Sequence, residues 1–73
     1  MRINLMMGTD NAAFGPEYGS PEDDGTCQSE VARILRELAE SVAAGYVPLK
    51  VNTAHVLMDA NGNRVGVFDV FKH

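Results

Sequence analysis

Asp59, Asn61 and Asn63 alternate in the stretch DANGNRVGVFDV, residues 59–70, like the oxygen ligands at the head of a calcium loop. Such a loop also needs Gly at its position 6 and Glu at its position 12. Counted from Asp59, those positions hold Arg64 and Val70, and Gly62 comes two residues early. The calcium reading fails on both requirements. A turn fits instead, because Asn-Gly between two apolar runs is a strong hairpin signal and both residues tolerate positive φ.

Other reactive side chains are sparse. Cys27 is the single cysteine, and His55 and His73 are the two histidines. A thiol near a helix start can have a lowered pKa, but no Cys-His or Ser-His-Asp arrangement follows from these spacings. One Cys and two His in no ligand spacing make neither a zinc site nor another metal site. Gly8, Gly15, Gly19 and Gly25 are scattered through an acidic stretch without lysine. A phosphate-cradling loop has tight glycine spacing and a lysine. The expectation is therefore a non-enzymatic protein with no catalytic residues, no metal and no cofactor.

The 73 residues carry a net charge of −4, and the acids are segregated. Residues 8–30 hold Asp10, Glu17, Glu22, Asp23, Asp24 and Glu30, with no Lys or Arg. The remainder is slightly basic. Direct nucleic-acid binding needs a basic patch, so it is not expected. A basic partner suits the acidic segment better. In an extended chain, adjacent residues are about 3.5 Å apart, close to the roughly 3.4 Å between charges along one DNA strand. Such a surface can compete for a site built to hold phosphates. The bland alternative is a solvated loop that keeps the protein in solution.

A chain of this length makes one domain, 1–73, and buries roughly 60% of its unfolded surface. A lone cysteine excludes an internal disulfide, which suits a reducing compartment. The N-terminal apolar run is too short for a signal peptide, and no segment approaches the roughly 20 apolar residues of a membrane span. The expectation is a soluble cytoplasmic protein that does not engage membrane.

The elements that must position these residues follow from periodicity. RINLMM (2–7) alternates as a half-buried strand. Gly, Pro, Ser and acids make 8–26 a loop, with Phe14 as its anchor into the core and 15–25 its mobile part. In TCQSEVARILRELAESVAAG (26–45), Val31, Ile34, Leu35, Leu38 and Val42 form one apolar stripe, with Arg33, Arg36, Glu37, Glu40 and Ser41 on the wet side. Thr26 or Ser29 is placed to cap the start, Gly45 to end the helix, and Glu30 to pair with Arg33. YVPLKVNTA (46–54) reads as an edge strand or a packed loop, since Pro48 breaks its regularity. HVLMD and RVGVFDV form a hairpin, with Gly66 marking a bulge or close packing.

The order β-α-β-β predicts an α+β fold: a three-stranded antiparallel sheet with one helix packed on one face. Leu57, Phe68 and Val70 are expected inside with Ile3, Leu5 and the helix stripe. Met6, Val56, Met58 and Val67 are expected on the other, uncovered face. Several apolar side chains there suggest a partner or a homodimer; scattered surface apolars are the ordinary alternative.

Three segments, DNAAF (10–14), EVARILRELAESV (30–42) and DANGNRVG (59–66), resemble a family of very small proteins of bacteria, phages and plasmids. Many of its members pair NAAF with an EVARILRELA helix and a final D-x-NGN-x-VG hairpin. The match spans most of the chain and departs at 46–54, which is longer here. The resemblance implies a small accessory protein of mobile elements, similar in size and charge to anti-CRISPR and anti-restriction inhibitors. On that footing, Asp10, Glu17, Glu22, Asp23, Asp24 and Glu30 would occupy the nucleic-acid-binding site of a host defence protein, for example a CRISPR effector complex. The alternative is a small homodimeric interaction module that uses Met6, Val56, Met58 and Val67 on the open sheet face.

Overall fold

The computed structural model describes residues 1–16 and 24–72. Strand β1 spans Arg2–Met7, a 3-10 turn spans Ala12–Phe14, helix α1 spans Thr26–Ala44, β2 spans Thr53–Met58 and β3 spans Arg64–Phe71. The sheet is antiparallel with order β1-β3-β2, so β3 is central. The fold is α+β, as periodicity predicts.

The core forms where helix meets sheet. Ile34 and Leu38 of α1 join Leu57, Phe68 and Val70 of the sheet, with Phe14, Cys27 and Val47 completing the cluster. Phe14 is fully buried, which explains why a loop of glycines and acids carries one large aromatic. Val31 and Val42 pack at the margin, while Leu35 of the same stripe is exposed.

Both helix ends are defined chemically. Gly45 takes a left-handed conformation; its N–H donates to the Val42 carbonyl, and the Tyr46 N–H donates to the Ser41 carbonyl. This is the paired hydrogen-bond pattern of a glycine-terminated helix. The start differs from expectation. Gly25, not Thr26 or Ser29, occupies the cap position, and no side chain caps from there. Asp24 does the work from one residue earlier, its Oδ1 accepting the Thr26 N–H at 3.0 Å.

The hairpin is also one residue longer than a two-residue Asn-Gly turn. Gly62 N–H donates to the Asp59 carbonyl, and Asp59 N–H donates to the Asn63 carbonyl. Gly62 has φ 81°, but Asn61 does not share the positive region. Residues 46–50 form a packed loop rather than a strand, anchored by buried Val47. Asn52, with φ 69°, turns the chain into β2, which therefore starts two residues before His55.

Gly66 satisfies both readings of its role. Leu57 pairs with Gly66 and Met58 with Arg64, so Val65 is an extra residue in β3, a bulge. A Cβ on Gly66 would overlap the Met6 carbonyl oxygen on the neighbouring strand.

One core expectation is corrected. Ile3 pairs with Val70 and Leu5 with Phe68, so both lie on the helix-facing side. Yet Ile3 is 48% exposed and Leu5 39%. The helix core residues cluster with β2 and β3, leaving most of β1 uncovered on this side.

Candidate functional site

Two features stand out once the chain is folded: a polar latch and an open sheet face.

The latch gathers residues from all three motif segments. Asp59 is buried, and its Oδ1 accepts the N–H groups of Asn61 and Asn63 at 2.9 and 2.8 Å. Its Oδ2 accepts from Asn63 Nδ2 at 3.3 Å and from Asn11 Nδ2 at 3.2 Å. Asn11 thereby ties the start of the 3-10 turn to the hairpin. Glu30 projects from α1 with 7% exposure. Its two oxygens receive Arg33 Nε and Nη2 at 2.7 and 2.8 Å, and Oε2 also accepts the Ala60 N–H at 2.8 Å. Arg33 reaches on to Glu37 at 2.9 Å.

This geometry sets the charges. The Asn63 amide, with the Asn63 and Asn11 side chains and the Asn61 amide, holds the Asp59 carboxyl below the usual range despite burial. Arg33 does the same for Glu30, again against burial, with help from the Ala60 N–H. The paired carboxylates, Glu30 first, hold the Arg33 guanidinium more firmly protonated than usual. A general acid or base at neutral pH needs a carboxyl raised towards 7. These are shifted the other way, so the cluster is suited to holding chain segments together. Among the described residues, no group of three or more His, Cys, Asp or Glu is placed to hold a metal. Cys27 is buried in the core and His55 is exposed on β2.

The six acids of the 8–30 segment do not share one environment. Asp10 is exposed. Asp24 is exposed but bonded to Thr26, whose hydroxyl and amide lower its pKa. Glu30 is not a surface acid at all: it is buried in the latch. Glu17, Glu22 and Asp23 lie outside the described residues.

Comparison of the chain with family models, curated proteins and solved structures finds no match.

The open face is organised by register. Met6 pairs with Val67, and Val67 pairs with Val56 on its other side, so one apolar row crosses all three strands. Met58 continues the face beyond Val56, opposite Arg64. Met6 is 63% exposed and Met58 49%. At the other end, Asn4 donates to Asp69 at 3.4 Å, and Arg2 sits opposite exposed Phe71. A shallow depression of about 560 Å³ opens beside the bulge, between Met6, Gly8, Arg64 and Val67. Met6, Val56, Met58 and Val67 therefore share one surface, with arginines at both ends. The role of Phe71 there was missed from sequence, although its place two residues after Asp69 and four after Val67 puts it on the same face.

Proposed function

We propose that this chain is a non-catalytic binding module whose contact surface is the open face of its sheet. The observation that carries this is the Met6–Val67–Val56 row, an apolar band across three strands with no covering element among the described residues. Exposed Met side chains adapt to varied partner surfaces. Met58 and Phe71 extend the band, and Arg2 and Arg64 stand at its ends. The partner is a folded protein with an apolar surface flanked by carboxylates, the chemistry that complements apolar centre and arginine rim. The polar latch supports this use by fixing helix, 3-10 turn and hairpin without using the open face.

The test is affinity capture from a lysate of the source cells with wild type, Val56→Glu and Asp24→Lys. The reading predicts a partner recovered by wild type and Asp24→Lys, retained in high salt and lost with Val56→Glu. Recovery by Val56→Glu equal to wild type overturns it.

A second reading rests on charge segregation. The acid-only segment 8–30 would occupy a basic, nucleic-acid-handling surface of a host defence complex, as phage-borne inhibitors do. Glu30 is withdrawn from that surface by its burial, leaving Asp10, Glu17, Glu22, Asp23 and Asp24. This reading predicts the opposite pattern: binding falls steeply with salt and with lysine at Glu22, Asp23 and Asp24, and survives Val56→Glu.

A further inference from the structure

Strand β1 is an edge strand, paired on one side with β3. Gly8 N–H donates to the Val65 carbonyl at 2.8 Å, continuing the β1–β3 register by one residue. In an antiparallel ladder, hydrogen-bonded and non-bonded pairs alternate. Gly8, Met6, Asn4 and Arg2 therefore turn their backbone groups towards β3. Ile3, Leu5 and Met7 turn theirs outward, and no described residue meets them.

Free edges are normally blunted by lysine, proline, a bulge or brevity. β1 has six residues and none of these devices; Pro48 and Lys50 stand before the other edge strand, β2. β1 also exposes apolar side chains on both faces, although Arg2 and Asn4 stand beside Met6 on the open side. Ile3 and Leu5 are exposed on the helix side and Met6 on the open side.

We propose that β1 pairs antiparallel with β1 of a second copy of this chain, joining two sheets into one of six strands. The two-fold axis passes at Leu5. This register alone pairs every outward-facing residue with another: Ile3 with Met7 of the second copy, Leu5 with its own equivalent, and Met7 with Ile3. The same pairs cover the exposed Ile3 and Leu5 side chains, the departure from the expected core noted above. The register also places Arg2 opposite Gly8 of the second copy, two residues from the exposed Asp10, so unlike charges lie at both ends of the seam. The contact is isologous, as a two-fold requires. It rests on the edge of the sheet and is independent of what binds the open face.

The test is sedimentation equilibrium of the full chain across a concentration series, with far-UV circular dichroism to confirm folding. Wild type should reach twice its 7.9 kDa mass. Leu5→Lys and Leu5→Glu should each weaken self-association at least tenfold, because like charges face each other at the axis. Mixing the two should restore a dimer. Leu5→Pro should also dissociate it, removing an outward N–H without touching the β3 ladder, and serves where a charged variant misfolds. Val56→Glu, on the open face, should leave the dimer intact. A wild type that stays monomeric to millimolar concentration overturns the proposal. So does dissociation by Val56→Glu with Leu5→Lys still dimeric.

Discussion

Glu30 Oε2 lies 2.8 Å from the Ala60 amide nitrogen, across 30 residues of sequence. With Arg33 on its other side, this carboxylate fastens helix to hairpin turn. Asn11 and Asp59 make the matching connection from the 3-10 turn, across 48 residues. The motif segments are thus accounted for as parts of one structural latch.

Glu30→Ala leaves the Ala60 N–H without its acceptor and Arg33 with Glu37 alone. A hydrogen bond to a charged group contributes about 1.5–3 kcal/mol, and this one is part-buried. Urea denaturation should show that loss as a lower midpoint with an unchanged slope. An unchanged midpoint would remove the latch from the account of stability.

Acid should loosen the same cluster. Glu30 and Asp59 both have folded-state pKa values below their ordinary 4.5 and 3.8. A depressed carboxyl contributes stability that is fully present above its unfolded value and is lost as pH falls through the folded one. Thermal midpoints should therefore hold steady from neutrality to about pH 5 and fall below pH 4.5. The fall should be shallower in a Glu30→Gln, Asp59→Asn double variant, which starts less stable. Equal acid slopes in both proteins would count against the assignment.

Gly66→Val should be more damaging than any surface change in β3. Its Cβ would meet the Met6 carbonyl oxygen, a backbone atom that cannot move aside alone. Overpacking of this kind costs about 1–3 kcal/mol or more, and separation of β1 from β3 should appear as lost protection of the Asn4 and Met6 amides, which face β3. Retained protection would show that the bulge absorbs the added side chain.

Phe14→Ala should destabilise by about 3–5 kcal/mol, the range for emptying a buried aromatic site. Phe14 is fully buried among α1 and sheet side chains, so in a chain this small the variant should be largely unfolded by circular dichroism at room temperature. A cooperative transition near the wild-type temperature would contradict its place at the centre of the core.

Much of this fold is legible in the residues. β1 and α1 follow from periods of two and 3.6, and Gly45 marks the helix end where the structure has it. Alternation also sorts Met6, Val56, Met58 and Val67 onto one face, since neighbouring strands keep their pleat in register. What periodicity cannot give is how far a helix reaches across a sheet. Ile3 and Leu5 point to the helix side and still meet solvent for that reason. Nor can local pattern show Glu30 buried: i,i+3 spacing predicts its pair with Arg33, but its third partner, Ala60, is brought in by the fold. Asp24 illustrates the same limit, reading as one of three consecutive residues in an acidic loop and acting as the acceptor at the helix start.

The open face carries the functional account, and its methionines report on it directly. Peroxide oxidation of Met1, Met6 and Met58, followed by mass spectrometry with and without the captured partner, measures their accessibility in one experiment. Met1 is at least as exposed as Met6 and precedes the strand, so it serves as the internal control. The account predicts that the partner slows oxidation of Met6 and Met58 several-fold and leaves Met1 unchanged. Equal rates at Met6 and Met58 in the free and bound protein would contradict it.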